Sequence, residues 1–254
     1  MPHRLKPGVS AAAPLLFIHG LGGTPEVWRA VIDQLDPSVE VVNVELPWSG
    51  RQGSGWSARP ASEWVRRAIL DVRTPACVVA HSFGANAVLE YLDAHGAEAI
   101  DRIALVCPFY DAAGAGVTAE ERFSLDNFQR LIEEGFRRQV NARQIPPHIL
   151  TTMAQRVRER VGLEGWREFL RVFGQTSRLR LGNFTRQSLL LAGENDQAAP
   201  TSDVGALAQR LTNATFVRLP GCGHFAITEQ PQQIADALHR LLTSPRHGAL
   251  CAAF

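Results

Sequence analysis

Short apolar runs alternate along the chain with longer stretches in which apolar residues recur every three or four positions. Six runs have strand length and composition: Leu15–His19, Glu40–Glu45 with its three valines, Ala76–Ala80, Arg102–Cys107, Ser188–Ala192 and Thr215–Leu219. Between them lie helix signals. Thr24-Pro25-Glu26 is a cap followed by proline at the first helical position, and Val27, Trp28, Val31, Ile32 and Leu35 then keep helical spacing. Further helices are predicted from Ser62 to about Val72, from the turn at Ser82 to near Gly96, over Ser202–Leu211 and over Pro231–Leu242. This alternation predicts an α/β fold with a mostly parallel, doubly wound sheet covered on both faces.

One stretch breaks the pattern. Residues 111–183 contain no good strand. They read as amphipathic helices, one with Phe123, Phe128, Leu131, Ile132 and Phe136, another with Trp166, Phe169, Leu170 and Phe173. An insertion this long is not a loop. It predicts a helical cap over the carboxyl edge of the sheet, with residues 1–110 and 184–254 forming the core. The tail from Thr243 to Phe254 reads as loose.

Composition narrows the classes. The 254 residues are 45% hydrophobic, enough for one sizeable core, and the net charge of +1 excludes the basic footprint of a nucleic-acid binder. The cations are 25 Arg and a single Lys, a skew we read as codon bias. Cys77, Cys107, Cys222 and Cys251 form no CxxC pair, so zinc-ribbon and thioredoxin chemistry drop out, and Cys77 and Cys107 sit in apolar core runs. The sequence shows no signal peptide and no span of about 20 apolar residues, so no membrane association is expected and a cytoplasmic location is the expectation. No metal-ligand cluster is visible, and no cofactor is expected.

The candidate chemistry starts at Val78-Val79-Ala80-His81-Ser82-Phe83-Gly84-Ala85, where a strand turns sharply into a helix. Small residues must flank such a turn two positions either side of the serine, because strand and helix nearly touch there; Ala80 and Gly84 fill those places. Ser82 then projects its hydroxyl at a helix N-terminus, where developing negative charge is favoured. His81 points away from its neighbour and reads as a packing or hydrogen-bonding residue.

Stabilising an oxyanion takes two backbone N–H groups aimed at one point. Phe83, directly after the serine, offers one. Leu21, in the glycine-rich loop His19-Gly20-Leu21-Gly22-Gly23, is best placed for the other. That loop lacks the GxGxxG spacing and the lysine of a phosphate-binding loop.

An acid and a base follow in chain order. Gly193-Glu194-Asn195-Asp196 closes the fifth predicted strand, and Asp196 is the candidate to orient a histidine, with Glu194 and Asp111 as alternatives. Pro220-Gly221-Cys222-Gly223-His224-Phe225 follows the last strand and places His224 as candidate base.

Together, Phe17-Ile18-His19-Gly20, Ala80-His81-Ser82-Phe83-Gly84, Gly193-Glu194-Asn195-Asp196 and Gly221-Cys222-Gly223-His224 resemble the α/β-hydrolase superfamily with a helical cap, from Leu15 to Leu242. The resemblance implies Ser82 as nucleophile, Asp196 as acid and His224 as base, with oxyanion donors at Leu21 and Phe83. Two places depart from the pattern. Only about fourteen residues precede the His-Gly strand, so one or two edge strands are expected to be missing. Glu45-Leu46-Pro47-Trp48-Ser49-Gly50 carries a tryptophan where the family has a small residue.

The expected activity is hydrolysis of a carboxylic ester or thioester of a small, largely apolar molecule; the expected partner is that small-molecule substrate, and the sequence sets no oligomeric state. Trp48, Phe109, Tyr110, Trp166 and Phe225 are candidate pocket residues. A lyase or cyclase using the same three side chains, or a ligand-binding receptor with little turnover, would share these motifs.

Overall fold

All six runs read as strands are strands. In the computed structural model, which describes residues 2–6 (backbone), 13–51, 55–72, 75–112, 123–138 and 145–245, they are β2 (Leu15–Ile18), β3 (Val41–Val44), β4 (Ala76–His81), β5 (Ile100–Val106), β6 (Ser188–Gly193) and β7 (Ala214–Leu219). A seventh, β1 (Pro2–Lys6), pairs antiparallel with β3 at the sheet edge. The sequence pattern predicts no strand there. Pro-His-Arg-Leu-Lys lacks apolar alternation and contains a proline, a composition that suits an edge strand and masks it. The order is β1-β3-β2-β4-β5-β6-β7, with every neighbouring pair from β3 to β7 parallel.

Period-two alternation explains why both faces are dry. Leu16 and Ile18 of β2, with Val78 and Ala80 of β4, face one core, which α2 (Ala61–Leu70), α3 (Phe83–His95) and α6 (Thr201–Arg210) cover. Leu15 and Phe17, with Cys77 and Val79, face the other, under Trp28, α1 (Arg29–Ile32), α7 (Ala226–Glu229) and α8 (Pro231–Thr243). The chain runs from β2 outward to β3 and then returns across β2 to β4. The crevice beside the carboxyl ends of β2 and β4 is therefore the topological switch point, where open α/β sheets bind ligands.

Between β5 and β6, the described residues form α4 (Leu125–Arg138), α5 (Pro147–Gln175) and two short 3₁₀ turns, with no strand among them. Gly162 breaks α5 with φ +60° and ψ −177°, a conformation open to glycine and costly elsewhere. The second half of α5 joins the main core through Trp166, Phe169 and Phe173. It is also tied electrostatically. Arg171 bridges Glu90 of α3 (2.6 Å) and Glu168 (2.7 Å), and these carboxylates accept the N–H groups of Ser62 and Ala61 at the start of α2. One guanidinium thus holds three helices, and the first turn of α2 finds acceptors it lacks internally. Thr243, expected at the start of a loose tail, instead ends α8; residues 246–254 lie outside the described residues.

Candidate active site

Ser82 joins β4 to α3 in a sharp turn, with φ +56° and ψ −128°. Only crowding on every side maintains such a conformation in a non-glycine residue. A Cβ on Gly84 would lie 2.4 Å from the His19 carbonyl oxygen and 2.8 Å from Ile18 Cγ2, so only glycine lets α3 approach the end of β2. The Ser82 N–H is fixed by the Val106 carbonyl at 2.9 Å.

Ser82, His224 and Asp196 come together although they lie far apart in sequence. The Ser82 hydroxyl donates to His224 Nε2 at 2.9 Å, and His224 Nδ1 donates to Asp196 Oδ2 at 2.8 Å. Asp196 Oδ1 accepts the N–H groups of Ala198 and Ala199, both at 2.9 Å. All three residues are at least nine-tenths buried. Burial pushes the Asp196 carboxyl pKa up, but attraction to His224 and these hydrogen bonds outweigh it and leave it below the usual carboxylate range. A hydroxyl, an imidazole and a held carboxylate in this order can pass a proton from the serine and stabilise the resulting imidazolium.

The other acid candidates do other work. Glu194 accepts the Gly221 N–H at 3.0 Å and braces the loop before His224. The Asp111 N–H donates to Thr176 Oγ1 at the root of the inserted helices.

The two neighbouring histidines are neutral scaffolding. His81 Nε2 donates to the His224 carbonyl at 2.9 Å, and burial first, then the charge of His224, pulls its pKa down to about 3. His19 donates from Nδ1 to the Gly20 carbonyl and accepts the Leu46 N–H at Nε2, with burial pulling its pKa down to about 4.

One further neighbour, Cys107, reads in the sequence only as a core residue. Cys107 follows β5 with φ +49°, and its sulfur lies within 4.8 Å of the ligand atoms of both Asp196 and His224. Nothing in an apolar strand end signals this, because the contact depends on a backbone conformation. Burial, then the Asp196 charge, pushes its thiol pKa well up, so it stays protonated. With Asp196 and both nitrogens of His224 engaged, the trio lacks the free thiolate and open imidazole a metal would use. Burial likewise pushes the Cys222 thiol up to about 12, which leaves it no nucleophile.

A cavity of about 1470 Å³ opens above Ser82. Phe109, Trp166 and Phe225 line it, together with Leu21, Phe123 and Phe169. Asn86 pins Phe109 by exchanging two hydrogen bonds with its backbone, at 2.7 and 3.0 Å. Trp48 and Tyr110 are not wall residues. Both are buried away from the cavity, Trp48 beneath the floor against Phe83. The tryptophan that departs from the pattern is therefore part of the support rather than of the pocket. The backbone N–H groups of Leu21 and Phe83 donate to no backbone carbonyl among the described residues.

Fold and site together define an α/β sheet protein with Ser82, His224 and Asp196 hydrogen-bonded in succession at the carboxyl ends of its strands. The chain belongs to the alpha/beta hydrolase family, whose sequence model matches residues 15–237. It is similar to the pimeloyl-[acyl-carrier protein] methyl ester esterase of Pectobacterium carotovorum subsp. carotovorum (strain PC1), 24% identical over 237 residues, covering 87% of this chain and 91% of that protein. The protein of that name from Xanthomonas campestris pv. campestris (strain B100) is 33% identical over 67 residues, a match spanning only 26% of either chain. Among solved structures, the esterase RhEst1 from Rhodococcus sp. ECU1013 superposes with a TM-score of 0.65 at 20% identity, covering 96% of this chain and 94% of that one. No described helix is long and apolar enough to cross a membrane.

Proposed function

We propose that the chain is a serine hydrolase that cleaves a carboxylic ester or thioester through an acyl-enzyme on Ser82. In this reading His224 takes the Ser82 proton as the hydroxyl attacks the carbonyl and then gives it to the leaving alcohol or thiol. Asp196 holds the imidazole tautomer and offsets its charge. The N–H groups of Leu21 and Phe83 receive the developing oxyanion, and the start of α3 adds its dipole. Water, activated by the same imidazole, then releases the acid. The observation that carries the proposal is the unbroken hydrogen-bonded chain from Ser82 through His224 to Asp196 at the base of a cavity with both aromatic and charged side chains in its wall.

The cavity also bears on the substrate. At about 1470 Å³ it exceeds the roughly 300–1,000 Å³ common for small-ligand sites. Phe109, Phe123, Phe169, Trp166 and Phe128 contact one another in succession, from beside His224 to α4, and form an apolar track for an acyl chain. We read the segment 111–183 as the cap over that track. The relatives' names point the same way, toward a methyl ester on an acyl chain.

The test is a series of p-nitrophenyl esters from two to ten carbons, beside dimethyl esters of dicarboxylic acids, assayed with the wild type and Ser82→Ala. The reading expects rising kcat/KM with chain length and loss of turnover in the variant by several orders of magnitude. Turnover that survives Ser82→Ala contradicts it. Activity lost on His224→Ala, with no acyl adduct under any condition, would indicate elimination or carbon–carbon chemistry instead.

A further inference from the structure

The tryptophan beneath the cavity floor makes contacts that reach both ends of the candidate oxyanion site. Trp48 lies in the 3₁₀ turn Pro47–Ser49 after β3 and is almost fully buried. Its indole Nε1 donates to the His19 carbonyl at 3.0 Å, and its own carbonyl accepts the Gly22 N–H at 2.8 Å. These two bonds grip the loop on either side of Leu21. The same turn grips it a third time, through the Leu46 N–H donating to His19 Nε2 at 3.1 Å. The indole ring also packs edge-on against Phe83, with centroids 5.3 Å apart and planes at 89°, and Trp56 backs both rings at 6.1 and 6.2 Å. One side chain therefore touches the loop that carries one N–H and the residue that carries the other.

The loop needs such a grip. Gly20, Gly22 and Gly23 give it little steric definition of its own, and Gly22 stands at φ +68°. Among the described residues, the hydrogen bonds to the Gly20 carbonyl are local, from the Gly23 N–H and from His19 Nδ1. Donors that stabilise an oxyanion must be fixed before the charge appears, because a shift of a few tenths of an ångström weakens a bond that acts only in the transition state.

We propose that Trp48 is a positioning residue that sets the separation and direction of the Leu21 and Phe83 N–H groups. The proposal rests on the hydrolase reading above. It assigns to the departure from the family pattern a role in turnover rather than in substrate contact. Loss of the indole N–H leaves substrate binding in the aromatic track intact and lowers the rate of the chemical step.

The experiment uses Trp48→Phe, which keeps an aromatic ring against Phe83 and removes the donor. A second variant carries β-(3-benzothienyl)alanine at position 48, keeping the bicyclic shape and lacking only the N–H. Active-site titration with a fluorophosphonate fixes the concentration of competent enzyme in each. Removing one oxyanion donor outright costs about 100–1,000-fold in kcat, so a misplaced donor is expected to cost about tenfold. The expected result is kcat about tenfold lower per titrated site in both variants. KM stays within about twofold, and affinity for a trifluoromethyl ketone, which forms a tetrahedral adduct, falls in parallel with kcat. An unchanged kcat per titrated site in the benzothienyl variant overturns the proposal. So does a loss confined to KM, or one accounted for by a smaller titrated fraction. Ser82→Ala, run alongside, separates the two levels. If that variant keeps full turnover, the hydrolase reading fails; if it is inactive while both Trp48 variants match the wild type, only the role of Trp48 fails.

Discussion

Acid should loosen this protein already below pH 6.5, because two buried histidines must stay neutral. Burial lowers His19 from its ordinary pKa of 6.5 to about 4, against attraction from Glu45 and Glu26. His81, facing His224, Asp196 and His19, is lowered to about 3. Below pH 6.5 the unfolded chain binds a proton at each site that the folded chain refuses. Their contribution to stability is therefore complete above that pH and is lost as pH falls toward the folded values. At 1.36 kcal/mol per pKa unit, each histidine withdraws about 2 kcal/mol by pH 5. The figure is insensitive to the folded values, since at pH 5 both folded sites are still almost wholly unprotonated. Together they remove about 4 kcal/mol between pH 8 and pH 5, a large share of a typical 5–15 kcal/mol domain stability. Asp196, lowered below its ordinary 3.8, releases its own contribution only in a more acidic window. Urea titrations at pH 8, 7, 6 and 5, on wild type and His81→Gln, measure the effect. The wild type should lose about 2 kcal/mol more than the variant across that range. Equal losses would refute the assignment of His81 as a buried neutral group.

Two further outcomes follow from the site. Asp196→Asn should fold normally and lower kcat by up to about 10,000-fold, because the amide no longer fixes the His224 tautomer; circular dichroism beside steady-state kinetics checks both halves. Gly135→Ala places a Cβ 2.4 Å from the Phe225 ring, so α4 must move off the loop that carries His224 or the ring must rotate into the cavity. The expected result is a fall in melting stability of about 1–3 kcal/mol and a shift of chain-length preference, read from the ester series.

Much of this was legible because the informative signals are local. Ala80 and Gly84 flank Ser82 for a steric reason that five residues express completely, and the strand before and helix after them follow from alternation and helical spacing. The order of β2, β4, β6 and β7, each ending in a distinctive turn, placed Ser82, Asp196 and His224 on one edge of the sheet before any distance was known. What stayed hidden is non-local. Trp48 reads as a bulky residue in a loop near the site, and only the indole bond to His19 shows that it supports the floor. Cys107 reads as a core residue because its positive φ leaves no trace in composition. The close approach of Gly135 to Phe225 joins an inserted helix to the loop after β7, a pairing that neither segment encodes alone. The edge strand β1 escaped because pairing with β3, rather than its own pattern, makes it a strand.

The central claim is that Ser82 is the nucleophile, and labelling by a fluorophosphonate tests it most directly. Intact-mass and peptide-mass analysis should show about one adduct per chain, on the peptide containing Ser82, accumulating in step with the loss of esterase activity. The Ser82→Ala chain should take up no label. Stoichiometric inactivation with the adduct on any other residue, or ester turnover retained in Ser82→Ala, would contradict the account.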